Sequence, residues 1–370
     1  MQFRDRVFLA PLTKGGNLPF RRLCVTHGCE ATMSEMAYAY QVVRKSRSEL
    51  ALLRKHDDES CFGVQLAVSR PDDAVTAGMA AVERGAQWLD VNCGCPIRDV
   101  VKRGMGAVLM QKPQRLARII EAMTAALSVP VTVKLRLGWS AAEQNVSDVA
   151  RIAEEAGAAA IAVHGRTREQ RYAQAADWDA IARIAAERSV PVIGNGDLLT
   201  WYEVRERWRQ SGVAAVMIGR GALIKPWIFR EIAESREIEP DAEERIAIWH
   251  GFAQGLKAHF RDDEKGHDRA MRFLPWHLGF ACRYRPLPRA IHEERSRRYP
   301  LMQSRSAEES GELSLSERLL RDPRPELHAE LAELLWSAAD AAEACDRAGR
   351  LAIAMPPVAG DPDEVATAHG

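Results

Sequence analysis

A chain of 370 residues, 46% apolar and 28% charged, has room for two domains or one large one and the ordinary balance of a globular protein. Its net charge is zero, so no global basic field advertises nucleic acid, although a local basic surface stays open. Seven cysteines, an odd number in a large chain, argue against a disulfide framework, and no Cys-x-x-Cys pair is present to build a zinc site. The N-terminal Met-Gln-Phe-Arg-Asp-Arg has no apolar signal core, and no apolar run reaches about 18 residues. The expectation is a cytoplasmic protein with no membrane partner and no metal, acting as a monomer.

From the N-terminus, short β-rich apolar runs alternate with helical stretches. The runs are 7–11, 31–34, 61–66, 88–92, 131–135, 160–164, 190–194 and 214–219. Between them, stretches such as 113–127 and 146–156 repeat apolar residues at steps of three and four, the helical period. Gly85, Gly157 and Gly212 each stand just before the next run, where a helix C-terminus calls for glycine. Eight strand–helix units in about 230 residues is the count of an α/β protein of the (β/α)8 TIM-barrel type. The first turn, 10–16, is not the Gly-x-Gly-x-x-Gly of an open dinucleotide-binding sheet. After residue 235 the strands stop, and helices are predicted over 241–260, 266–283, 315–320 and 326–347. The expectation is a C-terminal all-helical domain over 236–355 and a disordered tail over 356–370.

In such a barrel, chemistry sits where strands end. Pro11, Gln65, Asn92, Lys134, His164, Asn195-Gly196-Asp197 and Gly219-Arg220 all fall at or near strand ends, and chance would scatter some of them to the other rim. The glycine-bearing turns after the seventh and eighth strands suit a phosphate, or are simply tight turns. Lys134 is a lone cation within a strand. It needs an anion, either a bound flavin or phosphate or a protein partner such as Asp90 or Glu35. His164, before Gly165-Arg166, reads as a ligand contact or a satisfied core histidine. Gln65 and Asn92 offer amides suited to a heterocycle edge, or cap a loop. Cys95 follows a strand on a Gly-Cys-Pro turn. It is a small buried residue, a nucleophile of lowered pKa, or an acid that must stay protonated.

Asn92-x-Gly94-Cys95-Pro96, followed by Lys102-x-Gly104-x-Gly106-Ala107-x-Leu109, resembles the signature of the tRNA-dihydrouridine synthases, FMN enzymes that reduce uridine in tRNA with NADPH. The runs 164–172, 176–178, 194–197 and 221–227, with Arg272-Phe273-Leu274 and Cys282-Arg283-Tyr284, are similar to the branch acting at tRNA position 47. The resemblance implies an FMN-binding catalytic barrel over 1–235 and a tRNA-binding helical domain. It implies that Cys95 is the general acid and that Pro11, Leu12, Thr13, Gln65, Lys134, His164, Asn195, Gly196, Asp197, Gly219 and Arg220 bind FMN. Asn92, Arg166, Arg272 and Arg283 would meet the substrate, with NADPH or NADH as reductant. Residues 261–298 carry ten Lys/Arg against six Asp/Glu with Trp276, His277, Tyr284 and His292 interleaved, a surface suited to RNA.

Two positions depart from the family pattern. Cys93 stands where a small apolar residue or Met is usual and invites oxidation, and Met105 replaces a glycine, which would alter the loop. The eukaryotic members carry an N-terminal zinc-finger extension that this sequence does not include, so RNA contact is expected to rest on the barrel and the helical domain. Two other readings are a flavin oxidoreductase of a free pyrimidine, of the dihydroorotate type, and a non-catalytic tRNA-binding protein.

Overall fold

The computed structural model describes residues 3–172, 174–298 and 313–355. The tail expected over 356–370 lies outside them. The chain divides into two compact units, residues 1–219 with 228–236, and 220–227 with 237–370.

The first unit is a parallel barrel. Its strands are β1 (Val7–Leu9), β2 (Thr32–Met33), β3 (Ala37–Tyr38), β4 (Phe62–Ala67), β5 (Trp88–Asn92), β6 (Val131–Arg136), β7 (Ala160–His164), β8 (Val192–Asn195) and β9 (Ala215–Ile218). They run β1-β9-β8-β7-β6-β5-β4-β2 around the sheet. Phe8 pairs in parallel with Ala31, and the Leu9 N–H donates to the Ala31 carbonyl at 2.8 Å, which brings the two ends together. β2 and β3 both pair with β4, so they are two pieces of one barrel strand and the architecture is the expected (β/α)8 barrel.

β5 and β7 keep the expected limits, the other expected strands shift by one or two residues at an end, and β3 was not among the expected runs. β1 stops at Leu9 rather than 11, because Pro11 has no N–H for the ladder. β3 is too short to show a period. β6 runs on to Arg136, a charged residue that the apolar run did not include. Gly85, Gly157 and Gly212 have φ of 93°, 98° and 64°, so each turns the chain into the left-handed region as expected of a helix stop.

Alternate residues of each strand point inward. The inward set begins on an apolar floor that includes Phe3, Phe8, Met33, Trp88, Ala160, Ile193 and Met217. Trp88 meets Phe8 and Phe3 edge to face at 5.9 and 6.1 Å. A Cβ on Gly63 would stand 2.1 Å from the Trp88 ring, so the glycine is what lets the indole lie flat against β4.

The second unit is helical. Ala242–Phe260 starts on a capping box, in which Asp241 accepts the Glu244 N–H and Glu244 the Asp241 N–H. Its inner face, Ile246, Trp249, Phe252, Ala253 and Leu256, is fully buried. Arg245, also buried, pairs with Glu317. The helix expected over 266–283 is two helices, Glu264–Ala270 and Leu274–Ala281, broken ahead of Pro275, whose ring cannot donate to the preceding turn. The helix expected over 326–347 is likewise Pro325–Ser337 and Ala341–Ala354. Asp340 caps the second by accepting the Glu343 N–H at 2.8 Å. No helix among the described residues is long and apolar enough to cross a membrane.

Candidate active site

The parallel registers gather the polar residues at one end of the barrel. Gln65 pairs with Asp90, Asn92 with Lys134, Arg136 with His164, and His164 with Asn195. Above the apolar floor, neighbouring strands therefore present a near-continuous polar ring.

A chain of hydrogen bonds runs to the Cys95 turn. Thr132 Oγ1 donates to Asp90 Oδ1 at 2.6 Å and Gln65 Nε2 to Asp90 Oδ2 at 2.8 Å. Asn92 Nδ2 donates to Gln65 Oε1 at 2.7 Å, and Asn92 Oδ1 accepts the backbone N–H groups of Gly94 and Cys95 at 3.2 and 2.9 Å. An ionised carboxylate only accepts, so Asp90 fixes which way each amide faces. Asn92, expected at the substrate, spends both ends of its amide on this clamp. Burial pushes Asp90 up to about 6, against the hydrogen bonds from Thr132 and Gln65 and the nearby Lys134 charge.

Cys95 is half-buried, and burial raises its thiol above the ordinary value, with the Ile97 N–H and Arg136 pulling weakly the other way. The thiol is protonated at neutral pH, which removes the poised-nucleophile reading and leaves that of an acid. Its carbonyl accepts the Ala107 N–H at 3.1 Å, and a Cβ at Gly106 would come within 2.8 Å of that oxygen. Gly104 and Gly106 have φ of 74° and 67°, whereas Met105 sits at −117°. Met105 therefore needs no glycine and leaves the loop path intact. It is buried in a small cluster with Met36, Ala67 and Val100, against which Cys95, Tyr38 and Tyr40 lie. Cys93 is fully buried with its thiol pushed far up by desolvation, so the expected oxidation liability does not hold.

Lys134 donates to Asn195 Oδ1 at 3.0 Å, and Asn195 Nδ2 donates to the Met217 carbonyl at 2.8 Å. No carboxylate forms an ion pair with Lys134 among the described residues. Burial first, and then repulsion from Arg136, lowers the ammonium to about 8, with Asp90 opposing. Glu35, the alternative partner weighed from sequence, accepts the Lys14 N–H at 2.5 Å instead.

Arg166 is completely buried. Its guanidinium donates to Asp197 Oδ2 at 2.5 Å and to the Gln174 carbonyl at 2.6 Å, and lies 3.3 Å from His164 Nε2. Asp197 also accepts the Ala176 N–H at 2.7 Å. Arg166 thus ties the turn after β7 to the turn after β8, where Gly196 and Asp197 both have positive φ. Pro11 and Leu12 are half-buried and Thr13 is exposed, on the turn after β1. A Cβ on Gly219 would lie 3.7 Å from Leu12 Cδ2, so the turns after β1 and β9 adjoin. Arg220 opens the helix Arg220–Ile224 of the second unit. Arg272 and Arg283 also belong to the second unit. Arg272 is exposed between two helices, and the Arg283 guanidinium stands over the Phe280 ring at 4.5 Å.

Three participants escaped the sequence reading. Arg136 donates to the Gly94 carbonyl at 2.6 Å and to the Thr167 carbonyl at 3.0 Å, bracing the Cys95 turn. It stands two residues after Lys134, so the strand period alone would have found it. Tyr38 and Tyr40 left no sequence signal, because β3 and the short helix Ala39–Val43 have no readable period. Among the described residues, no group of three or more His, Cys, Asp or Glu is placed to hold a metal.

The class so defined is a (β/α)8 barrel whose strand-end rim carries a protonated cysteine, a lysine without a carboxylate partner and two adjoining glycine-bearing turns. The dihydrouridine synthase family model matches residues 8–286, and the chain belongs to that family. It is 41% identical over 302 residues to a tRNA-dihydrouridine(47) synthase [NAD(P)(+)] of Coprinopsis cinerea, covering 78% of this chain and 45% of that one. It is 39% identical over 305 residues to the Homo sapiens tRNA-dihydrouridine(47) synthase [NAD(P)(+)]-like protein, covering 79% and 46%. The chain therefore spans about half the length of the curated relatives it matches. Among solved structures, histamine dehydrogenase from Rhizobium sp. 4-9 matches with a TM-score of 0.50 at 14% identity, over 68% of this chain and 49% of that one, a likeness of fold alone.

Proposed function

We propose that this protein reduces the C5=C6 bond of a uridine in tRNA to 5,6-dihydrouridine, at position 47 by similarity to its relatives, with NAD(P)H as reductant and FMN as cofactor. The observation that carries the reading is the protonated Cys95 thiol on the same rim as Lys134, a sunken cation whose hydrogen-bond partner is a neutral amide. Such a lysine suits a ligand edge that gains negative charge, and so the residues present fit a flavin. Asn195, Gly196 and Asp197, with Gly219 and Arg220 after β9, are the positions proposed to hold its phosphate, and Pro11, Leu12, Thr13, Gln65 and His164 to line the rest of the cradle. When bound, FMN supplies the hydride for C6 and takes its own from NAD(P)H.

The chain supplies the other half. Cys95 Sγ–H gives its proton to C5 as the hydride reaches C6, and the thiolate left behind recovers a proton from solvent. Arg136 and Asn92 hold the turn that aims Cys95, and Arg166 braces the neighbouring turns after β7 and β8. The target base must leave its stack to enter the barrel mouth. The helical unit, with Arg272 and Arg283, is proposed to contribute to gripping the tRNA, and the setting is the cytoplasm.

Purified protein should be yellow or take up FMN, and should convert uridine in a tRNA transcript when given NADPH or NADH, read by mass spectrometry of the digested RNA. A colourless protein that cannot be reconstituted with FMN sinks the reading. Cys95→Ala is expected to retain reduction by NAD(P)H and lose uridine reduction by ~10²–10⁴-fold, the range of a positioned general acid. Undiminished turnover would remove Cys95 from the mechanism.

A further inference from the structure

Beside the Cys95 turn, two arginines share one tyrosine. Tyr40 lies in the helix Ala39–Val43, directly after β3. The Arg44 guanidinium stands 5.7 Å and the Arg103 guanidinium 5.5 Å from its ring centroid. Arg44 caps the end of Tyr40's own helix, whereas Arg103 caps the helix Arg98–Lys102 that follows the Cys95 turn. Tyr38, Tyr40 and Cys95 rest on the same four buried side chains, so this pair of cations borders the mouth where Cys95 sits.

Both guanidiniums are exposed, and among the described residues neither forms an ion pair. The same is true of Lys45, Arg47, Arg98 and Lys102 on the same two segments. Of the nearby acids, Glu49 is committed to the Tyr38 N–H at 2.6 Å, which leaves Asp99 as the exposed carboxylate within 98–103. Elsewhere on this unit exposed arginines find partners, as in Arg22–Asp58, Arg151–Glu155 and Arg230–Glu234. In a chain of zero net charge, six such cations on the two segments that meet at Tyr40, against the exposed Asp99, are a local positive excess. The patch also keeps apolar surface in water, with Ile97 46% and Val43 37% exposed. Cations free to neutralise phosphates, mixed with a ring and apolar side chains that a base can lie against, match a nucleic-acid strand.

We propose that the surface formed by Tyr40, Arg44, Arg98, Lys102 and Arg103 docks the RNA strand on either side of the nucleotide delivered to Cys95. The inference rests on the reading that the substrate is an RNA. It adds to that reading a grip carried by the barrel, separate from the basic stretch of the helical unit.

The test uses the full chain with its flavin and a tRNA transcript. Arg44→Gln with Arg103→Gln should lower the slope of log affinity against log salt by about one to two, the yield of one or two lost phosphate contacts. KM for the transcript should rise roughly tenfold at moderate salt, with the effect on KM rather than kcat. Arg44→Lys with Arg103→Lys should restore the slope, and Tyr40→Leu should weaken binding while leaving the slope in place. Melting temperature controls for folding. A wild-type slope and KM in the double Gln variant would overturn the surface while leaving the proposed activity standing. A wild-type chain that binds RNA but reduces no uridine would sink the activity, and the slopes would still judge the surface. A wild-type chain that binds no RNA overturns both.

Discussion

On the floor of the barrel Phe8 and Trp88 meet edge to face, 5.9 Å apart; further along the same strand that carries Trp88, the inward positions are Asp90 and Asn92. One alternation of inward and outward residues builds both ends. At the floor each inward side chain gains by leaving water. At the rim each buried polar group costs free energy unless a partner repays the lost hydration, and there the partners are one another: Thr132, Asp90, Gln65 and Asn92 in a row, and Lys134 on Asn195. The floor is therefore where substitution should cost stability, and the rim where it should cost binding or chemistry while giving stability back.

The largest expected effect sets the floor's side of that contrast. Trp88→Ala empties the space between Phe3, Phe8 and Gly63 and should destabilise the barrel by about 3–5 kcal/mol. Urea midpoints would measure it, and flavin uptake per folded molecule should match wild type. A Trp88→Ala protein as stable as wild type but unable to bind FMN would erase the distinction between floor and rim.

The rim was legible in the sequence to the extent that strands announce themselves. Gln65, Asn92, Lys134, His164 and Asn195 stand at the ends of apolar runs, and the parallel registers bring them side by side. What the runs could not reveal is direction and partnership. Arg166, which the resemblance put at the substrate, bonds Asp197, the Gln174 carbonyl and His164 across two turns distant in sequence. Arg136 was passed over because a charged residue ended the apolar run. The helical unit was less legible for a local reason: at 338–340 the apolar period carries across a break that only the backbone reveals, and at 275 the same period overrode a proline that marks the break.

Lys134 supplies the next effect in size, with the opposite sign from Trp88. Its ammonium titrates near 8 in the folded chain against about 10.4 when unfolded, so the desolvation cost is fully present below pH 8 and fades as pH rises toward the unfolded value. Lys134→Met should therefore stabilise the flavin-free protein at pH 7, by something on the order of 2 kcal/mol, and by progressively less up to about pH 10. The same variant should bind FMN more weakly. Thermal melts of the flavin-free proteins across that range, beside an FMN titration, check both signs. A loss of stability at pH 7 would mean that Lys134 is a structural cation like any other.

The smallest effect concerns Asp90, because its neighbours can adapt. Asparagine at 90 can still accept from Gln65, and the Thr132 hydroxyl, which also lies 3.3 Å from the Leu89 carbonyl, can turn to accept from the new amide. The direction of the Gln65–Asn92 clamp survives, so Asp90→Asn should change stability at pH 7 by no more than about 1 kcal/mol. Its charge does not survive. The folded carboxyl titrates near 6, above its unfolded value of about 3.9, so in wild type stability falls as pH rises from about 4 to 6, and that dependence should vanish in the variant. With the carboxylate gone, Lys134 loses the charge that holds its proton against burial and Arg136, and its titration should move below about 8. Isotope-labelled lysine NMR would read the shift directly. A Lys134 that titrates unchanged in Asp90→Asn would show that these two charges do not support each other, and that the polar ring is a set of separate sites.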